Sequence, residues 1–190
     1  MTLQSPQPPE PSRAAAEAGV QLLAGLGRVR TATLLPAAPD DLRLADPVQM
    51  YALAPGAPLA SATPVAWRYL VRHGEEPVAL AETVRDAAGE HVFSQLNYGP
   101  FVAGTAAALD TAAGADAARQ GDAEVRLLHV PAVHLIAVWL HGDRSDLLVP
   151  AAPVPAGLDA GRAYPADDLL ERVAAAAPPA LDADDDRGGG

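Results

Sequence analysis

The sequence predicts a single α+β domain: a mainly antiparallel sheet of five or six strands that carries helices chiefly on one face. Three patterns lead to this prediction. Residues 124–150 are the most apolar and most β-branched run in the chain. A glycine turn joins two alternating segments between Val65 and Val84, which is typical of a hairpin. Two further stretches begin with Pro and have helical periodicity. The expected order is helix, strand, hairpin, helix, three-stranded meander and short helix.

The run at 124–150 predicts the centre of the sheet. Glu124–Val130 and His134–His141 are the first two strands, and both faces of the second are apolar, as in a strand that is covered on both sides. Because Pro131 cannot donate to a strand ladder, it indicates either a hairpin loop or a bulge in one long strand. A buried helix is the alternative, and the β-branched content disfavours it. A third strand, Asp146–Pro150, follows a glycine turn.

Gly74 predicts both the turn and the register of the hairpin. A two-residue turn with Gly first places His73 opposite Glu76. Counting back from that pair puts Glu82 opposite Trp67, on the apolar face of the hairpin. The other face then carries small and basic residues, as expected for a half-buried antiparallel pair.

The remaining elements follow from capping and breaking residues. Ser12 can cap a first helix that runs to about Leu26, and a strand is expected at Val48–Leu53. Pro100 opens a second helix that ends near Ala113, and a last short helix spans Pro165–Ala176. The domain is therefore expected at residues 12–177. The Pro-rich residues 1–11 and the acidic residues 178–190 are expected to be disordered.

The composition narrows the class of function. The formal net charge is −11, and all 13 basic residues are Arg, which is typical of a high-GC bacterial source. Nucleic acid is not an expected partner, because phosphate binding needs a clustered positive face. The absence of Cys excludes disulfides and thiol chemistry. With neither a secretory signal pattern nor a membrane-spanning run, we expect a cytoplasmic protein with no membrane partner.

Four side chains form the candidate ligand-binding site, which would lie between the sheet and a helix: Trp67, Tyr69, Glu82 and Trp139. A carboxyl group such as that of Glu82, when held in an apolar setting, can act as a general acid or base. The alternative is that Glu82 is solvated near the sheet edge or pairs with an Arg.

Other polar groups are weaker candidates. His134 and His141 are an odd number of residues apart, so on a regular strand they point to opposite faces. His129 and His141 could share a face, but near opposite ends of the hairpin, and no metal site is predicted. The segment Asn97–Pro100 precedes a helix and indicates a cap or plain turn rather than an anion site. The acidic run Asp182–Asp186 lacks the spacing of a calcium loop.

The sequence carries no nucleophile, phosphate or dinucleotide motif, so no catalytic residue and no cofactor is predicted. We expect a non-enzymatic protein-interaction or accessory domain, with a protein partner or a homo-oligomer. This expectation depends on central strands that are too apolar for the expected helices to cover. The alternative is a small-molecule-binding or acid/base enzyme domain with a pocket between sheet and helix.

Overall fold

The computed structural model of the protein describes residues 6–31, 33, 35–115, 123–143 and 145–176. This part of the chain forms an α+β fold with one eight-stranded mixed sheet and three helices. The elements in chain order are α1 (Glu10–Gly25), β1 (Leu42–Ala52), β2 (Thr63–His73), β3 (Glu76–Arg85), β4 (His91–Asn97), α2 (Pro100–Gly114), β5 (Ala123–Val130), β6 (Leu135–Gly142), β7 (Leu147–Pro150), β8 (Tyr164–Pro165) and α3 (Ala166–Ala176).

The sheet consists of two four-stranded antiparallel meanders that lie side by side. The strand order is β4-β3-β2-β1-β5-β6-β7-β8, and among the described strands β1 with β5 is the one parallel pair. Gln49 pairs with Arg126 and Met50 with Leu127 across this junction. Each meander follows a helix, so the order of helix and four strands occurs twice, although the sequence shows no repeat.

The predicted sheet, mainly antiparallel with five or six strands, was too small: the sheet has eight strands and is mixed. His91–Asn97, where no strand was predicted, is the edge strand β4, and its half-exposed side chains hide the usual apolar alternation. The first strand begins at Leu42 rather than Val48. β8 has two residues, too few for any periodicity. Whether β1 and β5 pair in parallel depends on where the chain re-enters the sheet after α2. Local sequence patterns do not determine that position.

The helices lie on both faces of the sheet, not chiefly on one. Residues paired across neighbouring strands point to the same face, and one such row crosses the sheet through Trp67, Gln49, Arg126 and Trp139. α1 packs over Trp67 at one end of this row, and α3 packs over Trp139 at the other. We call this the α1–α3 face. α2 covers the opposite surface, the α2 face.

The central strands are covered on both sides, which confirms that part of the prediction. Every residue from Leu135 to Leu140 is buried. Pro131–Val133 forms a short 3₁₀ turn between β5 and β6, so the two strands are a hairpin rather than one bulged strand. Both apolar faces of these central strands are thus covered by other residues in the described part of the chain.

The turn of the first hairpin was predicted correctly, but its register was not. Gly74 has a φ of 60°, and His73 pairs with Glu76. Pro77 then pairs with Arg72, and the next pair skips Val78, which forms a bulge. A bulge fits here because Pro has no N–H to donate to the ladder.

The skipped residue moves Glu82 to the other face of the sheet. Beyond the bulge, Trp67 pairs with Thr83, and Arg68 pairs with Glu82. A one-residue slip reverses the face to which each side chain points. Glu82 therefore lies on the α2 face, away from Trp67.

The first helix begins earlier than expected, at Glu10, and Ser12 is not its cap. Ser12 is fully buried, and its hydroxyl hydrogen-bonds Tyr69 Oη at 2.7 Å and Thr83 Oγ1 at 2.6 Å. These bonds attach the start of α1 to β2 and β3. Two residues assigned to the Pro-rich segment thus belong to the helix; residues 1–5 and the predicted acidic tail at 178–190 lie outside the described residues.

α1 approaches β4 so closely that Gly19 faces the ring of Phe93, and an added Cβ would overlap that ring. We expect Gly19→Ala to lower the free energy of unfolding by about 1–3 kcal/mol, because overpacking outweighs the better helix propensity of Ala. Gly25→Ala is the control: in the described part of the chain nothing lies within 4 Å of the position that its added methyl group would take.

Gly25→Ala should raise the free energy of unfolding by about 0.5–1 kcal/mol, since only helix propensity changes. Urea unfolding followed by circular dichroism measures both variants. Equal stabilities of the two would contradict the close packing of α1 on β4.

Candidate functional site

The four side chains of the predicted ligand site do not converge. Trp67 and Tyr69 lie on the α1–α3 face beneath α1, where they pack in one apolar cluster. Trp139 lies on the same face but in a different cluster, beneath α3. Glu82 lies on the opposite face. The predicted pocket between these four residues is therefore absent from the described structure.

Glu82 belongs instead to a buried ion pair. Arg68 Nε donates a hydrogen bond of 2.8 Å to Glu82 Oε2, and both side chains are less than a tenth exposed. Gln95 Nε2 donates to the second carboxylate oxygen at 3.0 Å. Both oxygens of Glu82 are thus occupied by side chains of the neighbouring strands. The structure shows the Arg pairing that the sequence left open as the alternative.

A cavity of about 210 Å³ lies beside this ion pair on the α2 face. We call it the Arg68 pocket. It is lined by Arg68, Leu80, Asn97, Tyr98, Phe101, His129, His134 and Ile136. These residues come from both meanders and from the start of α2, so the pocket exists only because β1 and β5 join the two meanders.

The connection between β4 and α2 forms one wall of the pocket. Gly99, with a φ of 91°, turns the chain into α2 and brings Phe101 to the cavity. Tyr98 Oη donates a hydrogen bond of 2.9 Å to the carbonyl oxygen of Arg28, which ties this connection to the segment after α1. Asn97 lines the pocket and makes no cap hydrogen bond to α2.

The polar wall of the pocket has more hydrogen-bond capacity than the protein uses. Within the described residues, the guanidinium of Arg68 donates from Nε to Glu82, and its two terminal nitrogens have no acceptor. Asn97 Nδ2 is buried and also has no partner in that part of the chain. A buried donor such as Asn97 Nδ2 costs about 1–3 kcal/mol when it stays unpaired.

His129 is the titratable group of the pocket that stands beside Arg68. Burial lowers its pKa below the usual 6.5, and the positive charge of Arg68 lowers it further, while Glu82 acts in the opposite direction. The imidazole is therefore neutral at neutral pH and offers one donor and one acceptor.

The remaining lining of the pocket is apolar. Leu80 and Ile136 are buried side chains of the sheet, and Phe101 closes the cavity from α2. Apolar side chains together with a small set of polar groups are the usual lining of a small-molecule site.

The three histidines of the central segment do not meet at one point: His129 and His134 line the Arg68 pocket, and His141 does not. His129 and His141, which could have shared a face, lie on opposite faces, because one pairs with Ile136 and the other with Glu124. His134 is exposed at the pocket rim with a φ of 52°. Within the described residues, no group of three or more potential metal ligands occurs.

A second polar cluster lies on the α1–α3 face. The guanidinium of Arg126 lies over the rings of both Tyr51 and Trp139, 4.9 and 4.8 Å from their centroids, and pairs with Glu124 at 2.9 Å. Trp139 Nε1 donates to Asp146 Oδ1 at 2.9 Å. Because these groups pair with one another, the cluster joins β1, β5 and β6 rather than forming a binding site.

A larger groove of about 550 Å³ runs beside Trp67 near the start of α1. Two of its polar groups are engaged by the protein: Thr83 bonds Ser12 at 2.6 Å, and Arg85 Nη1 donates to the Gly89 carbonyl oxygen at 3.2 Å. His91 also lines this groove, and its ring nitrogens are buried without a partner among the described residues. The Arg68 pocket differs in holding a buried charged group with unused donors, and it is therefore the better candidate site.

Comparisons with protein-family models, curated proteins and solved structures find no match to this chain. Among the residues that the structure describes, no helix has both the length and the apolar character needed to cross a membrane. The assignment of the candidate site therefore depends only on the geometry of its residues.

The ion pair beneath the pocket can be tested by single and double substitution. We expect Arg68→Met to lower the free energy of unfolding by about 3–5 kcal/mol, because it leaves Glu82 as an uncompensated buried charge. The double variant Arg68→Met/Glu82→Leu should recover most of this loss, since neither charge remains. Urea unfolding measures each variant.

The exposed pair Arg13–Glu17 is the matched control. Its N–O distance is 3.0 Å, but both side chains are about half exposed. Arg13→Met should therefore cost less than about 1 kcal/mol. An equal cost at Arg13 and Arg68 would contradict the burial of the Arg68 pair.

Proposed function

We propose that this protein binds a small organic molecule in the Arg68 pocket, between the sheet and the first turn of α2. The observation that carries the proposal is a buried guanidinium beside a cavity. One of its N–H groups is committed to Glu82, and its terminal nitrogens have no acceptor among the described residues. A ligand oxygen would supply the acceptor that the fold does not.

The size and lining of the pocket restrict the ligand. A cavity of about 210 Å³ is smaller than the usual range for drug-sized molecules, about 300–1,000 Å³. The ligand is therefore a small molecule with one polar end, directed at Arg68, and an apolar body packed against Leu80 and Phe101.

Binding is favoured over catalysis because the pocket lacks an assembled set of reactive groups. Both oxygens of Glu82 accept hydrogen bonds from the protein. In the described part of the chain, His129 has no hydrogen-bonded nucleophile or orienting carboxylate. A binding or accessory domain fits this arrangement better than an acid/base enzyme.

Arg68→Lys tests the proposal while keeping the positive charge opposite Glu82. Lys lacks the planar fork of N–H donors, so we expect ligand affinity to fall about tenfold or more. Arg72→Lys is the control: Arg72 lies on the same strand, pairs with Asp46 at 3.0 Å and does not line the pocket.

The measurement is ligand-observed NMR with a panel of small carboxylates, primary amides and alcohols. Circular dichroism checks that both variants are folded. Compounds whose affinity is kept in Arg72→Lys but falls about tenfold or more in Arg68→Lys support the proposal. An affinity that Arg68→Lys leaves unchanged, or a panel in which no compound binds, overturns it.

A protein-interaction surface is the second candidate function. The observation that favours it is not the uncovered sheet that the sequence suggested. The central strands are buried on both faces, so an uncovered sheet no longer supports it. α1, however, exposes Leu22, and Leu26 is exposed one turn later at its end; they are 65% and 62% accessible. Two neighbouring exposed leucines favour a contact with another protein chain, here a second copy.

If α1 mediates self-association, the double variant Leu22→Glu/Leu26→Glu should sediment as a monomer at concentrations where the wild type is a dimer. Ala14→Glu/Ala18→Glu adds the same charges to exposed positions of the same helix. This control should leave the dimer intact. Sedimentation velocity showing a monomeric wild type at every concentration would remove this candidate.

A further inference from the structure

The charged group of the Arg68 pocket carries hydrogen-bond donors only. Arg68 contributes its terminal nitrogens, which have no acceptor among the described residues, and Asn97 contributes an amide with both a donor and an acceptor. The neutral ring of His129 adds one donor and one acceptor. A ligand group with two acceptor oxygens satisfies this wall better than a hydroxyl or an amine, which would bring further donors.

The charges around the pocket also favour an anionic group. Arg68 and Glu82 neutralise each other, so the fixed charge of the ion pair is zero. A carboxylate can accept a bidentate hydrogen bond from the remaining edge of the guanidinium, while Glu82 keeps the Nε edge. The resulting carboxylate–Arg–carboxylate arrangement carries one excess negative charge.

A protonated imidazole would compensate that excess charge. His129 lines the same cavity, and the charged and titratable groups facing it are Arg68 from β2, Glu82 from β3 and His134 from the turn before β6. Tyr98 faces the pocket from the β4–α2 connection, and its burial raises its pKa, which keeps it neutral. α2 and β6 contribute the apolar residues Phe101 and Ile136.

We infer that the ligand is a small carboxylic acid, bound as its carboxylate by Arg68, and that its binding takes up a proton at His129. This inference rests on the proposed binding function of the same pocket. The apolar wall of Leu80, Phe101 and Ile136 accommodates a short aliphatic chain or one aromatic ring within about 210 Å³.

The direction of the pH dependence follows from the charges. In the free protein, burial and Arg68 hold the pKa of His129 below 6.5. A bound carboxylate favours the protonated ring and raises that pKa in the complex. At a pH between the two pKa values of His129, the complex therefore binds more protons than the free protein. The affinity for the carboxylate falls as the pH rises through the pKa that His129 has in the complex.

The test compares benzoate with benzamide, and butyrate with butyramide, by NMR titration of the full chain at about pH 6 and about pH 8. The carboxylates stay ionised over this range, because carboxyl groups titrate near pH 4. We expect their affinity to be roughly threefold or more higher at the lower pH, because the bound carboxylate favours the protonated ring. The affinity of the amides should be unchanged.

His129→Gln should remove the pH dependence, and His141→Gln, on the opposite face, should keep it. If the amides bind as tightly as their carboxylates at the lower pH, the inference of a carboxylate ligand is wrong, but the proposed binding function of the pocket is not affected. An unchanged pH dependence in His129→Gln overturns the proton uptake. Absence of binding by all four compounds overturns the proposed function together with this inference.

Discussion

The parallel pairing of β1 with β5 decides where every other element of this fold lies. Each meander alone has its own helix and its own turns, but neither can form the Arg68 pocket. The junction places Arg68, from the first meander, and His129, from the second, on the same face with β1 between them. α2 is the crossover that this pairing requires, and its first turn closes the cavity. The candidate site is thus a product of the junction rather than of any one segment.

Local sequence patterns predicted the elements that are specified by residues close together in the chain. The Gly74 turn, the helix that starts at Pro100 and the two central strands are all present near the expected bounds. Turn residues and two-sided apolar runs act within a few positions, so the sequence shows them directly. The order of strands does not have such a signal, because it depends on free energies of packing between segments far apart in the chain. The edge strands β4 and β8 were missed because one is half exposed and the other very short.

A single residue decided which site could be predicted from the sequence. The predicted register placed Glu82 on the apolar face opposite Trp67, with pairing to an Arg as an alternative; in the structure Glu82 is buried beside Arg68. Pro77 cannot donate to the ladder, and the bulge at Val78 that accommodates it shifts the pairing by one position. Glu82 then joins Arg68 on the face that α2 covers. A proline two or three residues from a tight turn is the signal that could have warned of this shift.

Stability alone is a poor explanation for a buried Arg68–Glu82 pair. Two charges removed from water lose several kcal/mol of solvation each, and apolar residues of similar volume would serve the core as well or better. The surrounding residues also stop short of satisfying the guanidinium, although Gln95 completes the carboxylate. The carboxylate of Glu82 is hydrogen-bonded at both oxygens, whereas donor nitrogens of Arg68 remain beside a cavity. Recognition of a ligand explains this arrangement better than core packing does. Glu82 then holds Arg68 in position, and the side of the guanidinium that faces the cavity remains available to a ligand.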